Sequence, residues 1–126
     1  MTKVIISIGS NAPDRDVRME KAVGWLSGVL DRCRVSDVYE TPEYSGRYPS
    51  YFNCVAEGFT SLEVDRLNEL LKDYERSEGR TSESKLTGIV PVDLDIVEYD
   101  GVVLREVEFN REYFAIGYRQ LRNKNS

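Results

Sequence analysis

Val92-Asp93-Leu94-Asp95-Ile96-Val97-Glu98-Tyr99-Asp100-Gly101-Val102-Val103-Leu104 is the stretch on which the reading of this chain turns. Residues 92 to 99 read as a strand, and Asp100-Gly101 is a two-residue hairpin signal into Val102-Val103-Leu104. Successive strand side chains leave opposite faces, so Asp93 and Asp95 share one face, their Cα atoms roughly 6.6 to 6.8 Å apart. Val92, Leu94 and Ile96 point the other way and supply an aliphatic row for a core. Two carboxylates on one face suit a Mg²⁺ ion that keeps some water and takes phosphate oxygens as further ligands. Taken alone, the pair is better explained as the acidic outer face of an amphipathic strand.

Outward from this stretch, three further strands and two helices are legible. Lys3 to Ile8 is a short apolar run rich in β-branched residues, stopped by Gly9-Ser10-Asn11. From Asp16 the period becomes helical, with Met19, Ala22, Val23, Leu26 and Leu30 on one face. Arg34 to Tyr39 reads as a strand ended by Pro42, and residues 41 to 50, with Pro42, Gly46 and Pro49, read as a loop. Tyr51 to Phe59 follows as a strand with Tyr51, Asn53 and Val55 on one face and Phe52, Cys54 and Ala56 on the other. Thr60 with Glu63 forms a capping-box pattern, Phe59 and Val64 sit at the staple positions, and Leu67, Leu70, Leu71 and Tyr74 give a helical stripe ending near Gly79. Residues 80 to 88 are polar, and residues 105 to 121 fit a helix or an edge strand.

The order β-α-β-β-α-β predicts an α+β fold of the ferredoxin-like kind: an antiparallel four-stranded core sheet, two helices on one face, the other face free, and a C-terminal hairpin or short element. One domain over residues 1–121 followed by a polar tail at 122–126 is the expected organisation.

Composition narrows the chemistry. The chain has 126 residues, 40% of them hydrophobic and 31% charged, as in an ordinary globular domain. A net charge of -5 argues against binding nucleic acid through phosphate neutralisation. There is no histidine, which removes His-based nucleophilic triads, His-ligated zinc and His general-base chemistry together. The two cysteines, Cys33 and Cys54, have no metal-type or disulfide-framework spacing. No apolar run approaches the ~18 residues of a membrane span, and the N-terminus lacks a signal-peptide layout, so a cytoplasmic protein is expected. Catalysis in such a chain falls to carboxylates, cationic side chains, hydroxyls and borrowed metal ions.

Five short motifs then stand in order. They are Ile8-Gly9-Ser10-Asn11, Tyr39-Glu40-Thr41-Pro42, Tyr51-Phe52-Asn53, Glu75 with Gly79-Arg80, and Asp93-Leu94-Asp95-Ile96. In this order and at this spacing, over residues 4 to about 103, the chain resembles the hydroxymethyldihydropterin pyrophosphokinases. The resemblance implies transfer of pyrophosphate from ATP to 6-hydroxymethyl-7,8-dihydropterin in folate biosynthesis, with AMP released, by a monomer or weak homo-oligomer. It implies that Asp93 and Asp95 hold two Mg²⁺ ions, and that Glu75, Arg80 and Ile96 meet the nucleotide. It implies Arg80 as a catalytic cation, and Lys85 is a further candidate that would compensate for a missing loop arginine if the loop folds inward. Gly9, Thr41, Pro42, Tyr51 and Asn53 would line the pterin site, with Tyr113 or Phe114 stacking on the ring. An Asn amide offers both donor and acceptor, as a pterin edge requires.

The chain also departs from that pattern. Between Arg80 and Asp93 the family carries further Arg residues and a Trp in a loop over ATP; here Val90 stands where the second Arg is expected, and that loop has no Trp. The family's Pro-His segment and much of its C-terminal extension are missing. These losses keep open a non-catalytic relative that binds pterin or nucleotide, or a ferredoxin-like interaction domain.

Overall fold

The computed structural model describes residues 1–80 and 86–123. Its strands are β1 (Thr2–Ser10), β2 (Asp31–Val35), β3 (Tyr39–Thr41), β4 (Tyr51–Thr60), β5 (Asp93–Tyr99) and β6 (Val102–Val103). The helices that position the site are α1 (Arg15–Val29), α2 (Val64–Ser77), α3 (Glu106–Phe109) and α4 (Glu112–Asn123). The sheet order is β2-β4-β1-β5-β6, β3 also pairs with β4, and every pairing is antiparallel.

The sheet thus has six strands among the described residues, not the expected four. Part of the difference is a split in the second expected strand. It begins earlier, at Asp31, and breaks after Val35, where the Ser36 hydroxyl accepts from the Val55 N–H at 2.9 Å and ends regular pairing. The chain rejoins β4 at Tyr39–Thr41. The sixth strand is the hairpin arm, and the left-handed φ values of Asp100 (54°) and Gly101 (80°) fit the tight turn that the Asp-Gly pair signals.

Alternation holds along β1, β4 and β5. Val4, Ile6, Ile8, Cys54, Ala56, Leu94 and Ile96 bury against Met19, Ala22 and Leu26 of α1 and Leu67 and Leu71 of α2. The capping box does not form: α2 starts at Val64 with Glu63 as an unbonded N-cap, because the Thr60 hydroxyl accepts from the Leu62 N–H in a local turn instead.

The opposite face is not free. Ile5, Val55 and Val97 form a second core with Phe114 and Leu121 of α4. Residues 105 to 121 therefore resolve into helices rather than an edge strand. Gly117 lets α4 lie close on the sheet, since a Cβ there would sit 2.7 Å from Val55 Cγ2 and 2.8 Å from Ser36 Oγ. That helix covers one end of the face and leaves the other end, around Gly9 and Asp93, as a cavity. The expected polar tail begins inside α4, which runs through Asn123; residues 124–126 lie outside the described residues.

Candidate active site

β1, β4 and β5 meet in register where Gly9 pairs with both Asn53 and Asp93, and Ser7 with Asp95. Ser7, Gly9, Asn53 and Asp93 lie on the face that α4 leaves uncovered, and they floor a cavity of about 650 Å³. Thr41, Pro42 and Tyr51 wall one side, and Tyr113 closes another. A side chain at Gly9 would come within 3.2 Å of the Asn53 amide oxygen and 3.6 Å of the Tyr51 ring, so glycine keeps the floor open.

Asn53 is nearly fully buried, and its amide nitrogen donates to the Thr41 hydroxyl at 2.7 Å. Asn53 and the Thr41-Pro42 segment thus meet at one wall of the cavity. Tyr113 is fixed from below: the Tyr39 phenol donates to its carbonyl at 2.5 Å and accepts from the Gly117 N–H at 3.1 Å. Burial pushes the Tyr39 phenol up to about 12, so it stays protonated as a donor at neutral pH.

Asp93 and Asp95 leave the same face, as alternation requires. Arg80 binds Asp93 at 2.5 Å, while Lys72 approaches Asp95 at 3.2 Å and Arg105 at 3.8 Å. Burial alone would raise the Asp93 carboxyl, but the hydrogen bond and charge of Arg80, with Lys72 assisting, hold it below its ordinary value. Asp95 moves the other way, to about 7, first through burial and then through the neighbouring Asp93 charge. Two acidic groups forced together in this way are a donor set that a divalent cation would relieve. No group of three or more His, Cys, Asp or Glu side chains gathers among the described residues, so a cation here would complete its shell with water or ligand oxygens.

Two expected site residues are placed elsewhere, and a third, Glu75, stands beside the carboxylate pair in a structural role. Phe114 is fully buried in the second core beside Phe109 and Tyr118, so of the two aromatics only Tyr113 faces the cavity. Ile96 packs its side chain into the helix-side core and cannot offer it to a nucleotide. Glu75 is buried and committed to structure, accepting from the Leu94 N–H at 2.7 Å and pairing with Lys72 and Arg80 at 3.1 Å each. Lys85 lies outside the described residues. Val90 is held by its main chain, its N–H donating to the Asn11 side-chain oxygen at 2.6 Å and its carbonyl accepting from the Asn11 N–H at 3.2 Å.

Sequence reasoning missed several residues. Ser7 lines the floor two positions before Gly9, a placement that strand alternation would have given. Glu43, Tyr44, Asn110 and Arg111 also line the cavity, and nothing local marks them. Lys72 stands three residues before Glu75 on a helix, a neighbour spacing that carried a signal. Arg105 had none.

These features define an α+β domain with a carboxylate-bearing cavity. The family model of the 7,8-dihydro-6-hydroxymethylpterin-pyrophosphokinases matches residues 5–122, and the chain belongs to that family. It is 31% identical over 99 residues to the folate synthesis bifunctional protein of Arabidopsis thaliana, covering 77% of this chain and 20% of that one. Over 106 residues it is 31% identical to the 2-amino-4-hydroxy-6-hydroxymethyldihydropteridine pyrophosphokinase of Aquifex aeolicus, covering 83% and 66%. With the mitochondrial folate synthesis bifunctional protein of Pisum sativum it shares 34% over 100 residues, covering 77% and 19%. The chain therefore spans about a fifth of the plant proteins and just under two thirds of the Aquifex protein.

Proposed function

We propose that this chain transfers the pyrophosphoryl group of ATP to 6-hydroxymethyl-7,8-dihydropterin, releasing AMP, as a step of folate biosynthesis. The observation that carries this reading is the lining of one cavity by Gly9, Thr41, Pro42, Tyr51, Asn53, Asp93 and Tyr113. Family membership supports an ATP-using transferase. Asn53 and the Thr41-Pro42 segment would read the pterin's donor and acceptor edge, and Tyr113 would cover the ring. Two Mg²⁺ ions held by Asp93 and Asp95 would neutralise polyphosphate charge when bound. The pterin alcohol oxygen loses its proton to solvent and forms a bond to the β-phosphorus while the bond from that phosphorus to the oxygen bridging it to the α-phosphate breaks, leaving AMP.

Within that scheme the protein chiefly positions the two substrates and keeps charge balanced. Arg80, already on Asp93, stands ready at the phosphate side. The proposal includes a single domain with a ferredoxin-like four-stranded centre, β2/β3-β4-β1-β5, acting as a monomer or weak homo-oligomer in the cytoplasm without nucleic-acid or membrane partners. No helix among the described residues is long and apolar enough to cross a membrane.

Incubation of the purified chain with ATP, Mg²⁺ and the pterin alcohol, with AMP and the pterin diphosphate quantified, tests the reading. Formation of both products in equal amounts supports it. A second reading, a non-catalytic pterin binder, is favoured by Val90 in place of the loop arginine; pterin binding without AMP release would select it.

A further inference from the structure

At Leu94 and Asp95, β5 is the unpaired edge of the sheet, because β6 reaches only Glu98 and Tyr99. An exposed edge leaves main-chain donors and acceptors without partners. Here α2 supplies them: Glu75 takes the Leu94 N–H, and the Lys72 ammonium donates to the Leu94 carbonyl at 2.8 Å. The same ammonium donates to Glu75 at 3.1 Å and to Asp95 at 3.2 Å. An ammonium has three donors, so all of them are used. The strand edge, Glu75 and one of the two acidic groups of the site thus share a single cation.

That cation stands where a metal ion would bind. Three positive side chains, Lys72, Arg80 and Arg105, already face Glu75, Asp93 and Asp95. A free dication entering this set meets carboxylates that already carry cationic partners, and it must displace an ammonium that keeps only Glu75, which Arg80 shares. A dication arriving on a polyphosphate brings the missing anion with it.

We propose that Lys72 is a resident counter-cation of Asp95 that makes metal uptake conditional on nucleotide. When metal and polyphosphate enter together, the ammonium exchanges Asp95 for a phosphate oxygen. Lys72 is in this account a positioning residue that sets the coupling between metal and nucleotide, and it offsets part of the charge absent at Val90. The account rests on the reading of Asp93 and Asp95 as metal carboxylates.

The test measures Mn²⁺ affinity by electron paramagnetic resonance, with and without an ATP analogue carrying a methylene between the α- and β-phosphorus, in the wild type and Lys72→Met at pH 8.5. The quantity read is the ratio of the two affinities. It falls about fivefold or more in Lys72→Met, the low end of couplings between two sites, because free Mn²⁺ binds more tightly and the nucleotide-dependent gain shrinks. Lys72→Arg keeps the charge and retains most of the ratio. An unchanged or larger ratio in a Lys72→Met protein with native circular dichroism overturns the proposal and leaves Lys72 as a tie between α2 and β5. Should that variant fail to fold, the same ratio is read on Lys72→Gln, where a fall supports the proposal and an unchanged or larger ratio overturns it. Absence of Mn²⁺ uptake by the wild type, with and without nucleotide, overturns both this proposal and the metal reading on which it rests, so the two failures are told apart.

Discussion

The phenol of Tyr39 holds the main chain of Tyr113, donating to its carbonyl at 2.5 Å from a strand 74 positions away in sequence. The same oxygen accepts from the Gly117 N–H, so one hydroxyl fixes the start of α4 to β3. A half-buried network of this kind is costly to leave partly satisfied.

Tyr39→Phe removes that hydroxyl and leaves the Tyr113 carbonyl and the Gly117 N–H, four residues apart on α4, with only each other as partners. We expect a loss of about 0.5 to 1.5 kcal/mol in stability, measured by chemical denaturation. Pterin affinity should fall too, because Tyr113 loses its anchor. Unchanged stability and unchanged affinity would show that the phenol has no part in shaping the cavity.

Asp93→Asn and Asp95→Asn should each abolish Mg²⁺-dependent nucleotide binding, read by calorimetry with and without the metal. The two should differ in stability. Asp93 is the ionised and nearer partner of Arg80, and its loss leaves that guanidinium Glu75 alone as an ion-pair partner among the described residues, whereas Asp95 is raised to about 7 and already carries part of its charge at a cost. Asp93→Asn is therefore the more destabilising change, and the reverse order would contradict the charge assignment.

Asn53→Ala should weaken pterin binding by roughly 1 to 3 kcal/mol, since the Thr41 hydroxyl and the ring edge both lose a partner. Fluorescence titration with the pterin alcohol measures it. Equal affinity would return Asn53 to a purely structural role.

Val90→Arg probes the missing loop charge. The Val90 main chain is bonded to Asn11, which leaves its side chain free to vary. If this position faces the transferred phosphates, AMP release rises in kcat with little change in pterin affinity. A gain confined to KM would place the new guanidinium on ground-state binding only.

Two glycines separate packing from helix propensity. Gly117→Ala puts a Cβ against Val55, Ser36 and Tyr39 and should cost about 1 to 3 kcal/mol. Gly24, inside α1, has nothing within 4 Å of such a Cβ. Gly24→Ala should instead stabilise by roughly 0.5 to 1 kcal/mol. Thermal denaturation of both variants checks the opposed signs.

Period-two alternation made the floor of the site legible: it put Asp93 and Asp95 on one face and Asn53 with Tyr51 on another strand's matching face. The Asp100-Gly101 turn was equally readable, since few residues accept its backbone angles. The break at Ser36 was not, because it depends on a hydroxyl reaching Val55 across the sheet. For a related reason the sequence of α4 does not decide between a helix and an edge strand. Its buried positions, Phe114, Gly117 and Leu121, include a glycine that is central to the packing but adds no apolar signal. Glu75 and Lys72 show the same limit from another side: their partners lie on β5, 19 to 23 positions away, where no local pattern points.

Because Tyr113 and its supporting helix follow β1, β4 and β5 in sequence, the floor of the cavity is synthesised before its cover. Until α4 has docked, the second face lacks Phe114 and Leu121 and stays greasy and open. A nascent chain at that stage would be a target for chaperones before it could hold a ligand. Once α4 has docked, a bound pterin pressed against Tyr113 would lock that helix in place, so substrate should protect α4 from proteases more than it protects α1.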